Sequence, residues 1–435
     1  MDSIREKVAE FFRNNGMDHE RIDMDASVKA FLLEMERGLR GEPSSLQMLP
    51  THIDVEKEIP VETPVIVLDA GGTNFRAATI HFGRDGKPII ENYEKFPMPG
   101  IHRELTKEEF FTTMAGYMRN VMESSSLIGF CFSYPAEIFP NKDGKLLEFS
   151  KEIKAPEVVG QLIGTNLLEA IRATGYREEK RVVILNDTVA TLLAGRAAFM
   201  NRIFDTFIGF ILGTGTNSSY IERNSNIIKC RDLDHTRRQI INLEAGNFRK
   251  ISRGKIDIDF DVTMINPGQY TFEKMISGAY FGVLCLVTLR EAAREKGLIS
   301  RACRDELRKL ETLGTSEVNL FLENPWSRDN PLGATVGRGD ESDAIALYHI
   351  IDGLIERAAK LTAINLSSVV IKSGKGENPC RPVCITAEGS TFYGLKTLKT
   401  RVECYLRRYL SERYYEIVNV DNATLIGAAI AGLTN

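Results

Sequence analysis

Two short Gly/Thr turns, Asp69-Ala70-Gly71-Gly72-Thr73 and Leu212-Gly213-Thr214-Gly215-Thr216, flank the dipeptide Asn186-Asp187 along the chain. Each turn follows an apolar run, Val65-Ile66-Val67-Leu68 or Ile208-Gly209-Phe210-Ile211, and apolar sequence resumes after it, as in a β-hairpin. Without a Cβ, glycine takes φ > 0 and lets successive backbone N–H groups approach an anion, while a threonine hydroxyl adds a donor. One such turn alone most often just closes a hairpin. Two of them, about 140 residues apart, suggest related halves that face each other across a cleft and grip one polyphosphate from both sides.

Asn186-Asp187 follows the run Val182-Val183-Ile184-Leu185, which places it at the carboxyl end of a strand, where α/β sheets bind ligands. A carboxylate there can accept the proton of an attacking hydroxyl, a job that contributes about 10²–10⁴ in rate. The alternative is that Asp187 caps the helix of Val189-Ala190-Thr191-Leu192. Ser133, Lys151, Asn217, Glu244 and Glu273 occupy other turn-like or strand-end positions. Singly, each reads as a solvated or locally bonded residue. Together they offer carboxylates and amides with few cations, which suits a neutral ligand rich in hydroxyls and rejects partners that would leave the acceptors unpaired.

The elements that must position these residues belong to a globular protein of several domains. The chain has 435 residues, 43% hydrophobic and 26% charged, with 55 basic against 59 acidic side chains. A length of two or three domains and a net charge of -4 give no electrostatic reason to expect nucleic acid or an anionic membrane as partner. No apolar stretch approaches the ~18–20 residues that span a bilayer. The N-terminal Met1-Asp2-Ser3-Ile4-Arg5-Glu6-Lys7 mixes charges of both signs, unlike a secretory signal or transit peptide, so a cytoplasmic location is expected. Seven scattered cysteines then argue for reduced thiols. Cys380 and Cys384 form the one close pair, without a histidine nearby to complete a zinc site. Arg338-Gly339-Asp340 matches an adhesion tripeptide that a cytoplasmic protein would not display.

Val28, Phe31, Leu32, Met35 and Leu39 recur at helical spacing over 25–40, with Asp25 placed to cap the start and Gly38 near the end. Pro43 to Pro50 then break regular structure as an ordered linker. Strands are expected at Val65–Leu68, Phe75–His81, Ile89–Lys95, Leu127–Phe132 and Val182–Leu185, with helices over 107–122 and near 157–174. A second series begins at Phe207 and includes a long helix Phe272–Lys296, peripheral helices over 298–345, helical spacing at 343–367 and a strand at Cys384-Ile385-Thr386. Small residues in Leu425-Ile426-Gly427-Ala428-Ala429-Ile430-Ala431-Gly432 allow a last helix to pack closely. Alternating strands and helices argue for α/β domains.

Six segments in order resemble signatures of the hexokinase family. They are Ser45-Leu46-Gln47-Met48-Leu49-Pro50-Thr51, Leu68 through Arg76, Gly129-Phe130-Cys131-Phe132-Ser133-Tyr134-Pro135, Leu185-Asn186-Asp187-Thr188-Val189, Gly213-Thr214-Gly215-Thr216-Asn217, and Asn266-Pro267-Gly268 through Gly278. The resemblance implies an actin-like (RNase H-like) fold, two α/β domains flanking a central cleft where ATP and a hexose meet. It implies a smaller domain of 61–186 plus 422–435 and a larger one of 1–60 plus 187–421. By similarity Asp187 is the base for the sugar 6-hydroxyl. Ser133, Lys151, Asn186, Asn217, Glu244 and Glu273 hold the sugar, and Lys151 also reaches the transferred phosphoryl group. Asp69, Gly71, Gly72, Thr73, Asn74, Arg76 and Thr214 serve the phosphates, with Asp69 taking Mg²⁺ through water, and Gly389 and Ser390 lie near the adenosine. The expected reaction is ATP-dependent phosphorylation of D-glucose. The alternatives are mannose, fructose or an N-acetylated amino sugar as acceptor, or a sugar sensor without turnover.

Three places depart from the family pattern. Ser150-Lys151 stands where Thr-Lys is usual, Glu244 precedes Ala245 where tryptophan is typical, and Asp421-Asn422-Ala423-Thr424 replaces a Gly/Ser-rich turn. The second would loosen the wall behind Glu244 and make room for a substituted sugar. The third puts the adenine contacts in question.

Overall fold

The computed structural model describes residues 2–149, 153–199 and 202–435. In chain order the strands of the first half are β1 (Leu49–Asp54), β2 (Val65–Gly71), β3 (Asn74–Phe82), β4 (Pro88–Pro97), β5 (Leu127–Phe132), β6 (Ala136–Ile138), β7 (Gly144–Leu146) and β8 (Arg181–Leu185). Those of the second half are β9 (Thr206–Leu212), β10 (Thr216–Arg223), β11 (Arg238–Asn242), β12 (Val383–Glu388) and β13 (Tyr415–Val418).

The two halves repeat one topology. The smaller sheet runs β4-β3-β2-β5-β8 and the larger β1-β11-β10-β9-β12-β13. In each, an antiparallel three-strand meander is extended by two parallel strands: β5 and β8 on β2, β12 and β13 on β9. β1 is an addition at the outer edge, antiparallel to β11. This repeat of meander plus parallel pair is the related-halves arrangement that the two Gly/Thr turns suggested. Each turn closes the first hairpin of its sheet, β2–β3 or β9–β10.

Burial explains the strand sequences. Val65 and Val67 face one apolar layer, with the Asp187–Ala198 helix and the C-terminal helix Ala423–Thr434. Ile66 and Leu68 face the other, with the helices Lys107–Tyr117 and Ile163–Ala173. A strand covered on both faces reads as an unbroken apolar run, because successive side chains alternate sides and both sides are dry. The larger sheet packs on a third core. That core includes much of the 33-residue helix Glu341–Ser373, about 50 Å long at 1.5 Å per residue. Asp340 caps this helix by accepting from the N–H of Ser342 and Asp343, which accounts for the acid of the Arg-Gly-Asp run.

Several expected boundaries shift for identifiable reasons. The helix over 25–40 is Met24–Arg40, but Asp23 is its cap, while Asp25 lies one residue inside and pairs with Lys29 at 2.6 Å. Pro50 does not end regular structure, because β1 is an edge strand, where a missing N–H costs no ladder bond. The long helix expected over Phe272–Lys296 is two, Glu273–Ile276 and Gly278–Ala292. Ser277 between them is extended, and Gly278 N–H turns instead to Gly213 O at 2.7 Å. Helices Asp2–Asn15 and Leu398–Tyr409 and strands β11 and β13 had no counterpart in the sequence reading.

Candidate active site

β8 ends at Leu185, and the chain enters the Asp187–Ala198 helix directly. The capping role falls to Asn186, whose Oδ1 accepts from Thr188 N at 2.9 Å and from Thr188 Oγ1 at 2.7 Å. Asp187, the first helical residue, also accepts from Thr188 N at 2.9 Å. It is only half-buried and faces a cavity of about 130 Å³ between the two sheets.

Six expected ligands meet in that cavity: Ser133, Asn186, Asp187, Asn217, Glu244 and Glu273 line it, as does Thr214. Ser133 is fixed by its N–H on Ala70 O at 3.0 Å. Glu273 Oε2 accepts from Thr216 N at 2.8 Å, which ties the carboxylate to the second turn. Asn217 donates to Asn242 Oδ1 at 2.7 Å, and Asn242 donates to Glu244 Oε1 at 2.8 Å. This amide relay aims Glu244, whose backbone is left-handed at φ 57°. Burial pushes the Glu244 carboxyl up to about 7, against the Asn242 hydrogen bond that favours its charged form.

Beside the first turn, Asp69 is buried and lies 3.3 Å from Arg76, and Thr424 donates to it at 2.9 Å. Burial raises its carboxyl, with Arg76 and Thr424 opposing. Glu388, at the end of β12, is pushed up to about 7 by burial and feels the charges of Asp187, Asp69 and Arg76. The two turns and the end of β12 thus converge. Gly71 borders the cavity, since a methyl on it would sit 3.4 Å from Ser133 Oγ. Gly72, Thr73 and Asn74 line neither the cavity nor the groove beside it. Lys151 and Ser150 lie outside the described residues.

The reason for glycine differs from the expected one. Among the four turn glycines only Gly72 has positive φ, at 59°. Gly215 is needed for space: a Cβ there would come within 2.7 Å of Glu273 Oε2.

A groove of about 480 Å³ adjoins the cavity, sharing Thr214 and Ala279 with it, and Ser390 lies in its wall. Gly389 precedes Ser390 but does not itself line the groove; its φ of 119° is one in which a side chain would be brought against Leu212 O. The turn 421–424 does not line this groove. Asn422 adopts φ 55° in place of a glycine, the Ala423 backbone N–H bonds Glu388, and Thr424 holds Asp69. Its substitution therefore bears on the acidic corner rather than on the groove. Nor does Ala245 line the cavity: it is fully buried in the core of the larger sheet.

Sequence reasoning missed Tyr134, Tyr270 and Tyr280 in the cavity, Asn242 in the relay that holds Glu244, and Thr315, Ser316 and Asn319 in the groove. Two had a signal. Asn242 precedes Glu244 by two residues at a strand end, and Tyr270 follows the Asn-Pro-Gly turn.

Two meander-plus-parallel sheets around a polar cavity, continued by a groove, define the class of actin-like ATPase-fold proteins, to which the chain's architecture belongs. Family profiles described as hexokinase match residues 7–197 and 207–434, and the chain belongs to the hexokinase family. It is 29% identical to Hexokinase-1 of Spinacia oleracea over 434 residues, covering 92% of this chain and 85% of that one. It is also 29% identical to Hexokinase-5 of Oryza sativa subsp. japonica, over 80% of this chain and 72% of the other. The solved hexokinase of Schistosoma mansoni complexed with glucose superposes with a TM-score of 0.80 over 99% of both chains at 21% identity. The chain is thus a hexose-phosphorylating kinase of a family that uses ATP. No helix among the described residues is long and apolar enough to cross a membrane.

Proposed function

We propose that this enzyme transfers the terminal phosphoryl group of Mg·ATP to the 6-hydroxyl of D-glucose, with Asp187 as general base. The observation that carries the reading is the single cavity in which Asp187 stands among Ser133, Asn186, Asn217, Glu244 and Glu273, beside Thr214 at its junction with the groove. In this reading the bond from sugar oxygen to phosphorus forms as the bond to the leaving ADP oxygen breaks. Asp187 takes the hydroxyl proton. Phosphoryl transfer proceeds through a loose transition state, so alignment of the hydroxyl and neutralisation of charge are the protein's main tasks. Glu244, Glu273 and the amides align the sugar. Thr214, at the junction of cavity and groove, faces the phosphates. Arg76, Gly72, Thr73 and Asn74 are assigned to them on the motif alone, since none lines the cavity or the groove. Gly389 and Ser390 flank the nucleoside. Lys151 is assigned to the sugar and the transferred group on its motif alone.

The donor set fits Mg²⁺ carried by the nucleotide. Among the described residues no three His, Cys, Asp or Glu side chains form a metal cluster, and Mg²⁺ keeps several waters and takes one or two carboxylates plus phosphate oxygens. Asp69 would meet it through water, and the ion, when bound, neutralises phosphate charge. We divide the chain into a smaller domain of 61–186 plus 422–435 and a larger one of 1–60 plus 187–421, a division supported by the two sheets falling on either side of it.

A coupled assay of ADP release with glucose and Mg·ATP tests the base. Asp187→Ala is expected to lose roughly 10²-fold or more in kcat, the range of general-base removal, with an unchanged circular dichroism spectrum. Equal rates in parent and variant would remove Asp187 from the mechanism.

A further inference from the structure

The sugar cavity is bridged by a contact that neither the resemblance nor the proposed mechanism uses. Tyr270 belongs to the turn that leads into Glu273 on the side of the larger sheet, and its hydroxyl donates to Glu148 Oε1. Glu148 belongs to the segment after β7, on the side of the smaller sheet. The bond therefore crosses between the halves, and the tyrosine ring lines the cavity.

The ring's position is fixed by the turn beneath it. Tyr270 has a left-handed backbone, φ 51°, which residues other than glycine adopt rarely and only where surroundings over-determine it. Here its N–H donates to Asn247 Oδ1 at 3.3 Å and its carbonyl accepts from Lys274 N at 2.9 Å. Lys274, buried, is itself anchored on Asp261 and on Asn266 O, each at 2.6 Å. Burial, the bond to Glu148 and the charges of Glu244 and Glu273 all hold the phenol protonated far above its ordinary range, so it remains a donor at any physiological pH. The small Ala245 opens no compensating space, being packed in the core away from the cavity.

We infer that Tyr270 is a specificity-determining residue: its ring, pinned by Glu148, walls the cavity beside Glu244 and Glu273 and restricts the acceptor to hexoses that carry no bulky N-acyl group there. The inference rests on the reading that this cavity takes the sugar. A hydrogen-bonded ring cannot swing aside for a substituent without leaving a partly buried carboxylate and a phenol unpaired, which is how polar walls discriminate more strongly than apolar ones.

The test compares D-glucose with N-acetyl-D-glucosamine in the parent and in Tyr270→Ala, Tyr270→Phe and Glu148→Gln. Calorimetric titration of each sugar without nucleotide runs beside steady-state kcat and KM. The parent should bind glucose at least tenfold more tightly than the N-acetyl sugar, and Tyr270→Ala should shrink that ratio at least tenfold. Tyr270→Phe keeps the ring but loses the pin, so it should also shrink the ratio, by less than Tyr270→Ala does, with kcat on glucose changed less than twofold. Glu148→Gln retains an acceptor oxygen and should hold selectivity near the parent's. If Tyr270→Ala fails to fold, Tyr270→Leu serves the same comparison. A parent that binds both sugars equally, or a folded Tyr270→Ala or Tyr270→Leu with an unchanged ratio, overturns the inference. A parent that binds glucose selectively but releases no ADP instead sinks the kinase reading, so the two failures are told apart.

Discussion

Glu244 shows how one residue is set for its work by surroundings that its own sequence neighbourhood does not display. Its carboxyl is raised to about 7 because the Asn242 amide does not offset the loss of water. In the proposed reading a sugar hydroxyl donates to it, and such a bond is stronger to the charged form and favours it. Hexose affinity without nucleotide should therefore rise with pH up to about 7 and level off above it, with protons released on binding at and below that pH, read by titration calorimetry in buffers of different ionisation enthalpy. Glu244→Gln should abolish the proton release and weaken binding at least tenfold, and a flat affinity from pH 5.5 to 8.5 in the parent would contradict the assignment. The stability effect has the opposite sense. An acid whose folded pKa exceeds its unfolded value destabilises the fold when ionised, so this penalty is absent below about pH 4.5 and complete above about pH 7. Glu388, also raised to about 7, adds to the same trend. The unliganded protein should lose Tm as pH rises through this window, and Glu244→Gln should lessen the loss.

At the scale of elements, the site depends on how closely two helices cross. The Asp187–Ala198 helix, which begins with the proposed base, packs against the C-terminal helix at Gly427, where a Cβ would lie 1.9 Å from Ala190 O. Gly427→Ala forces the pair apart, an overpacking cost of about 1–3 kcal/mol. A melting curve should show a lower Tm, and kcat should fall with it because Asp187 moves with its helix. A melting temperature within a degree of the parent's would show that the crossing tolerates a methyl. The close packing was legible in the run of small residues from Gly427 to Gly432, because size at an interface is a property of the side chain itself. The break at Ser277 was not. Its cause is a hydrogen bond to Gly213, which no local spacing announces.

For the whole molecule, the cavity is built from both sheets, with Ser133 and Asn186 from one and Thr214 to Asn217 from the other. A ligand that bonds to both walls favours whatever arrangement brings them together, in proportion to its differential affinity for that state. Saturating glucose should lower the radius of gyration in small-angle X-ray scattering, by excluding water from the gap. No change at saturation would mean that the walls already stand at their bound separation.

The sequence by itself determined the strands buried on both faces, the two hairpin turns, the position of Asn186-Asp187 at a strand end and, through six ordered motifs, the family. Each of these depends on residue type and short spacing, so periodicity and turn chemistry suffice to read it. Only the tertiary structure decided that Asn186 rather than Asp187 provides the cap, that Ala245 lies in the core and lines no part of the cavity, and that Thr424 belongs with Asp69. It alone brought Tyr270 to Glu148. Those outcomes rest on contacts between segments distant in the chain, whose geometry exists only once the sheets and helices have packed.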